Sequence, residues 1–189
     1  MVRYSSHYTR QTWLNRLSAL FAFALRRGYI TANPCDRLDR VTVDKKPPQI
    51  LSPAQSQQLL AQCPTVMRPY VVLGMFAGIR PDEIERLDWA ESDLEAGTAF
   101  VDGKTRQRRI VKLEPVAVRE LRKHPLRTGS VAPSSATIAR WRAKARAALG
   151  LAQWPQDLLR HTAASYLLAL HQDSGKVATM LGNSSGVLL

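Results

Sequence analysis

Glycine and proline divide this sequence of 189 residues into short segments, and this division restricts the fold more than any other feature of the chain. Gly28, Gly150 and Gly182 each follow a run with helical periodicity, as is typical of glycine just past the end of a helix. Pro53 and Pro81 stand where a helix is expected to begin, because the first turn does not use the amide hydrogen that proline lacks. These marks and the apolar periodicity predict helices over residues 13–27, 52–62, 69–77, 81–87, 115–123, 135–149, 156–171 and 174–181.

One stretch of the sequence has the pattern of a β-hairpin. Residues 98–102 and 109–113 are β-prone runs on either side of a strongly basic loop at 103–108. No other part of the chain gives a convincing strand pair. The sequence therefore predicts a mainly α fold with a small antiparallel β-sheet (α+β).

Residues 41–51 have the pattern of an extended basic linker, with two lysines and two prolines together at 45–48. This linker predicts a boundary between two domains near residue 48. Residues 1–47 hold one amphipathic helix, and a single helix cannot bury its own apolar face. We therefore interpret residues 1–47 as the C-terminal fragment of a helical domain plus the linker. Residues 48–189 form the second predicted domain.

Charge indicates the kind of partner. The chain has 27 Lys and Arg against 15 Asp and Glu, a formal net charge of +12. Such an excess favours a polyanion, and nucleic acid is the expected partner, although a merely basic surface would carry the same charge.

The composition also bears on the location of the protein and on bound metals. No apolar run approaches the length of a membrane span and no signal peptide is visible, so we expect a soluble cytoplasmic protein without a membrane partner. Cys35 and Cys63 lack the spacing of a metal site, so neither a metal nor a cofactor is expected.

Five separated blocks of the sequence lie at residues 20–34, 77–94, 100–113, 157–168 and 175–185. Together they resemble the tyrosine recombinases, the phage integrase family, over residues 13–189. The first block resembles the end of the family's core-binding (SAM-like) domain. The second resembles the first catalytic box, the third the hairpin that carries the catalytic lysine, and the last two the second catalytic box. The resemblance implies that residues 48–189 form a tyrosine recombinase catalytic domain that is incomplete at its C-terminal end.

The resemblance assigns roles to three basic residues. Arg80 and Arg160 would grip the DNA phosphate, because a guanidinium stays charged and can hold two of its oxygens as negative charge develops. Taken singly, each would be read as an ordinary helix-start or salt-bridge arginine. Lys104 would protonate the leaving 5′ oxygen as a general acid. Alternatively the hairpin only grips phosphates, with Lys112 or no residue as the acid.

Two positions depart from the family pattern, which has histidine at both. Asp157 lies three residues before Arg160, and Asn183 follows Gly182. Asp157 could still accept a proton and Asn183 could still donate a hydrogen bond, so both are candidate catalytic residues. Both could instead be helix-cap residues.

Further basic residues are candidates for DNA binding. They lie on the hairpin and on the predicted helix at 135–149, where a solvated face is the default interpretation. The candidates are Arg106, Arg108, Arg109, Arg140, Arg142 and Lys144.

None of the five tyrosines suits the role of the family's nucleophile. Tyr166 is nearest, but on a helix it would lie about 240° around the axis from Arg160. In the family the nucleophile follows the second-box glycine and histidine by about nine residues, which would fall near position 192, beyond Leu189. We therefore expect a chain truncated before its nucleophile.

The expected activity follows from the resemblance. The family performs site-specific DNA recombination and integration, often for mobile genetic elements, through a 3′-phosphotyrosyl link. The implied partners are double-stranded DNA and other recombinase protomers, and the implied location is the bacterial cytoplasm, on the nucleoid when DNA is bound. This chain is expected to bind DNA without cleaving it. Two alternatives remain open: a non-catalytic DNA-binding protein of recombinase descent, and a basic helical RNA-binding or ribosome-associated protein.

Overall fold

The structure, a computed structural model, describes residues 7–39, 47–103, 108–125 and 127–182. None of the helices in these ranges is long and apolar enough to span a membrane. The chain divides into two compact units, Met1–Pro47 and Pro48–Leu189. That the first unit belongs to a core-binding domain stays a prediction.

The first unit contains one long helix, α1 (His7–Arg26), followed by a short 3-10 helix at Pro34–Arg37. α1 starts earlier than the predicted helix at 13–27 and has no buried residue. The side-chain amide of Asn33 links the two helices by donating a hydrogen bond of 3.3 Å to the main-chain carbonyl of Ser18. Several large apolar residues of α1, including Trp13 and Leu20, are exposed. This agrees with the expectation that a single amphipathic helix cannot bury its own apolar face.

The second unit is built from helices whose ends follow local capping chemistry. At the start of α2 (Pro53–Ala61), the Ser52 hydroxyl accepts from the Gln55 amide at 3.2 Å, and the Gln55 side chain accepts from the Ser52 amide at 3.0 Å. These reciprocal bonds satisfy two amides that the first helical turn leaves unpaired. The other helices are α3 (Arg68–Phe76), α4 (Pro81–Ile84), α5 (Pro115–Arg122), α6 (Ser135–Ala148), α7 (Leu158–His171) and α8 (Ser174–Leu181).

α4 is shorter than the predicted helix at 81–87, and that prediction was wrong by most of a turn. The backbone beyond Ile84 pairs with a distant segment instead of continuing the helix. The Leu87 carbonyl accepts from the Val131 amide at 2.9 Å, and the Trp89 amide donates to the Gly129 carbonyl at 2.9 Å. Tertiary hydrogen bonds have therefore replaced local helical ones.

A three-stranded antiparallel sheet packs beside the helices in the order β1 (Ser92–Asp93), β2 (Thr98–Asp102), β3 (Arg108–Lys112). The predicted hairpin is confirmed as β2 and β3, with Ala99 opposite Val111. The prediction missed β1, which at two residues is too short to show a pattern. The fold class is as predicted: mainly helical with a small antiparallel sheet.

α3 lies at the centre of the core and packs against α5 and α7. Gly74 on α3 allows a close approach, since a Cβ at this position would lie 3.0 Å from Leu159 of α7. Leu159 immediately precedes Arg160. The packing of Leu159 against Gly74 in the core therefore fixes the position of Arg160.

Candidate active site

An open cavity of about 400 Å³ lies between α3, the start of α4, α6 and the start of α7. Arg80 and Arg160, which are 80 positions apart in the sequence, both line it. Arg142 from α6 and Asp157 line it as well. The structure thus brings the two arginines expected from the sequence to one concave surface.

Arg80 occupies the N-cap position of α4 and is held by a residue one turn further on. The backbone amide of Arg80 donates to Glu83 at 3.0 Å, and its guanidinium donates to the same carboxylate at 3.2 Å. Pro81 at the first helical position favours the start of the helix here. The extended backbone of Arg80 and its bonds to Glu83 therefore orient its side chain.

Glu83 is the most enclosed carboxylate beside the cavity, with 3% of its side chain exposed. The two terminal nitrogens of Arg109 on β3 donate to its two oxygens at 2.9 and 2.8 Å. Burial raises the pKa of Glu83, but the hydrogen bonds and charges of Arg109 and Arg80 outweigh burial and leave that pKa below its ordinary value. Glu83 is thus an ionised carboxylate that joins a helix to the hairpin.

Arg160 is nearly enclosed, with 6% of the residue exposed. Its guanidinium donates to the main-chain carbonyl of Gly78 and, at 2.8 Å, to that of Leu181. Burial lowers the pKa of Arg160 to about 10, and the nearby charges of Arg80 and Arg109 contribute to the decrease. The negative charges of Glu83 and Asp157 raise the pKa of Arg160 and offset part of this decrease. Arg160 remains a cation at neutral pH and is not a surface salt-bridge arginine.

Two glycines allow close packing around the end of α8. Gly78 has a φ of +62°, and a Cβ there would lie 2.2 Å from the side chain of Leu181. Gly182 has a φ of +64°, and a Cβ there would lie 2.6 Å from Nε of Arg109. Both positions therefore require glycine, because of the backbone conformation and because of the space. The end of α8 consequently packs against the residues of the site.

Asp157 precedes α7 in the left-handed backbone conformation, with φ of 55° and ψ of 24°. Asp157 occupies the N-cap position of α7, as the helix-cap alternative expects, but its side chain makes no capping hydrogen bond. Its main-chain carbonyl accepts from the His161 amide at 2.8 Å. A non-glycine residue in this conformation costs on the order of 1–3 kcal/mol, and such residues cluster at functional sites. Its catalytic role stays a prediction.

The other catalytic candidates, Lys104 and Asn183, lie outside the described residues, as does the DNA-binding candidate Arg106. On the hairpin, Arg108 is 65% exposed and bonds to Asp102 and Glu91, each at 2.9 Å. It sits one residue before Arg109 but has different surroundings.

The candidates on α6 separate into two groups. Arg142 is half-buried, donates to the Tyr70 hydroxyl and places its guanidinium 5.6 Å from the centre of that ring. Arg140 and Lys144 are exposed and do not line the cavity. Sequence reasoning missed Tyr70 as a cavity residue, since nothing in an apolar helix marks one tyrosine as facing a site.

Comparisons with known proteins agree with this geometry. No family model matches the chain. Tyrosine recombinase XerC from Xylella fastidiosa (strain 9a5c) is 30% identical over 190 residues, which cover 89% of this chain and 65% of that protein. The integrase from mycobacterium phage Brujita is 25% identical, with a TM-score of 0.64 over 95% of this chain and 66% of that one. A lambda integrase tetramer bound to a Holliday junction is 20% identical, with a TM-score of 0.71 over 95% of this chain and 60% of that one.

The chain therefore shares the fold of these integrases. That residues 48–189 form the catalytic domain stays a prediction. With the sequence similarity to XerC, the chain belongs to the tyrosine recombinase family, which includes the phage integrases. It spans 60% to 66% of the length of the XerC proteins that it resembles.

Proposed function

We propose that this chain belongs to a site-specific recombinase that cuts and rejoins DNA strands through a 3′-phosphotyrosyl link. The observation that carries the proposal is the meeting of Arg80 and Arg160 at one cavity. The tyrosine oxygen would attack a backbone phosphorus and displace the 5′ oxygen of the DNA. That 5′ hydroxyl would then attack the phosphotyrosyl link of a partner strand and release the tyrosine. The phosphotyrosyl link conserves the energy of the phosphodiester, so rejoining needs no ATP.

The cavity supplies what this attack requires. Negative charge gathers on the non-bridging phosphate oxygens as phosphorus becomes five-coordinate, and fixed cations stabilise that charge best. Arg160 is fixed by two main-chain carbonyls, and Arg80 is fixed by Glu83. Arginines held in this way need little reorganisation when the charge develops. Arg142 adds a third cation at the wall of the cavity.

Three residues complete the proposed catalytic set. Lys104 would be the general acid, and its loop joins the ends of β2 and β3, at Asp102 and Arg108. Asp157 and Asn183 would take the places that histidines have in the family. Arg106, Arg108, Arg140 and Lys144 would contact DNA outside the cavity. These assignments need no metal ion or cofactor.

Double-stranded DNA and further recombinase protomers are the proposed partners. The net charge of +12 suits a phosphate backbone, and the lambda integrase of the same fold forms a tetramer on a Holliday junction. The proposed location is the bacterial cytoplasm, on the nucleoid when DNA is bound.

These 189 residues by themselves are proposed to bind DNA without becoming attached to it. Tyr166 is engaged, since its hydroxyl donates to the Leu51 carbonyl at 2.6 Å, and Tyr70 is buried. The test is a nicked suicide DNA substrate, on which a nucleophilic tyrosine is trapped as a covalent adduct. We expect no adduct from these residues, and an adduct when the reading frame of the gene is followed past codon 189. A tyrosine near position 192 whose change to phenylalanine abolishes the adduct supports the proposal, and a frame without it contradicts catalysis.

A second candidate is a non-catalytic DNA-binding protein of recombinase descent. Asp157 favours it, because a carboxylate that lines the cavity repels a phosphate unless its charge is offset. The variant Asp157→His separates the two candidates in the full reading frame. A decayed site gains DNA affinity but still forms no adduct, whereas an enzyme that uses Asp157 forms adducts before the change.

A further inference from the structure

Arg109 differs from the other described arginine of the hairpin in what it contacts. Only 20% of its side chain is exposed, against 65% for Arg108. Its two terminal nitrogens bind the two oxygens of Glu83, at 2.9 and 2.8 Å, in the paired arrangement that fixes both groups in one plane. Arg108 instead binds Asp102 and Glu91 at the surface.

Glu83 in turn holds Arg80 through its backbone amide and its guanidinium. Arg109, Glu83 and Arg80 therefore form a chain of contacts from strand β3 to the cavity. On its other side, Arg109 packs under Gly182, where a Cβ would lie 2.6 Å from Nε. Strand β3, the start of α4 and the end of α8 meet at this one side chain.

We propose that Arg109 is a positioning residue, which orients Arg80 in the cavity through Glu83 instead of contacting DNA itself. The proposal rests on the proposed function, in which Arg80 binds a DNA phosphate. It replaces the simpler expectation that each arginine of the hairpin contacts the DNA backbone.

The electrostatics support this role. With 3% of its side chain exposed, Glu83 is poorly hydrated and relies on its partners to stay ionised. The cations that face it are Arg80 and Arg109, with Arg160 close enough to feel its charge. Without Arg109, the carboxylate would lose two of its hydrogen bonds and the group that fixes its plane. Arg80 would then sample other orientations.

The first test needs no DNA. Phenylglyoxal modifies accessible arginines, and peptide mass spectrometry measures the rate at Arg80 in the full chain. We expect Arg109→Met, which fills the space under Gly182 but cannot bind Glu83, to raise the rate at Arg80 several-fold. Arg109→Lys keeps the charge but cannot bind both oxygens in the same way, so it should raise the rate by less. Arg108→Met, the matched control on the same strand, should leave it unchanged.

The second test uses a fluorescein-labelled DNA duplex. If Arg109 acts through Arg80, the loss of affinity in Arg109→Met disappears in an Arg80→Ala background, because the two changes remove the same contact. If Arg109 contacts a phosphate directly, the two losses add, and Arg109→Met lowers the log-log salt slope by a further ~0.9 in the Arg80→Ala background.

The two tests distinguish a failure of the proposed function from a failure of the positioning role of Arg109. A wild-type chain that does not bind the duplex contradicts the proposed function, and the modification rates still decide the role of Arg109. Unchanged reactivity of Arg80 in folded Arg109→Met, or in Arg109→Lys should the former not fold, overturns the positioning role. Additive losses of affinity overturn it as well.

Discussion

Arg160 on the first turn of α7 donates a hydrogen bond of 2.8 Å to the main-chain carbonyl of Leu181, the last residue of α8. A second bond, to the Gly78 carbonyl, ties the same guanidinium to the turn before Arg80. A buried arginine thus connects three parts of the chain at the wall of one cavity.

Arg160→Ala should destabilise the second unit more than Arg80→Ala does. Removal of Arg160 leaves the carbonyls of Gly78 and Leu181 without this partner, and a buried group left unpaired costs about 1–3 kcal/mol. Arg80 has 36% of its side chain exposed, so its ion pair should contribute less than about 1 kcal/mol. Urea unfolding of the two variants measures the difference. Equal losses would contradict the structural role of Arg160.

Gly78→Ala should lower the free energy of unfolding by about 2–4 kcal/mol, from backbone strain together with overpacking. Its φ is +62°, and the new Cβ would meet Leu181 at 2.2 Å. Gly129→Ala is the matched control, since Gly129 has a φ of +70° but nothing within 4 Å of a Cβ. The control should lose only about 1–2 kcal/mol, from the strain alone. If thermal or urea unfolding gives the same loss for both variants, close packing against Leu181 is not what requires glycine at position 78.

Glu83→Gln should destabilise the protein in a pH-dependent manner. The pKa of Glu83 in the folded state lies below its ordinary value of 4.5, so its ionised form stabilises the fold above that value. This stabilisation is lost as the pH falls through the lowered pKa. The difference in unfolding free energy between wild type and Glu83→Gln should therefore be largest at neutral pH and shrink below about pH 4.5.

Glu95→Gln is the control for this experiment. Glu95 is an exposed partner of Arg122 at 3.0 Å, and such pairs contribute little. Its replacement should change stability by less than about 0.5 kcal/mol at every pH tested. A Glu83→Gln effect that stays constant from pH 7 down to about pH 3 would show that the carboxylate charge is not what matters.

The helix ends and the hairpin could be predicted from the sequence because local chemistry determines them. Ser52 and Gln55 form their capping bonds within one turn, and Gly182 ends α8 through its own backbone conformation. The resemblance to a family placed Arg80 and Arg160, and the structure shows them at one cavity.

What could not be predicted depends on contacts between distant segments. The pairing of Arg109 with Glu83 joins residues 26 positions apart, and charge alone does not select this pair from many others. The early end of α4 depends on hydrogen bonds to residues 129–131. The left-handed backbone of Asp157 likewise has no signal in a sequence where glycine or asparagine is the usual occupant of that conformation.

The proposed function requires the cavity between Arg80 and Arg160 to bind a DNA phosphate. The most direct test is the affinity of the wild type, Arg80→Ala and Arg119→Ala for one labelled duplex over a range of salt concentrations. Arg119 is 70% exposed on α5 and does not line the cavity, so its variant controls for the loss of one positive charge. We predict that Arg80→Ala weakens binding and lowers the log-log salt slope by about 0.9, while Arg119→Ala changes neither. Equal effects of the two variants, or wild-type binding that does not depend on salt, would contradict the claim.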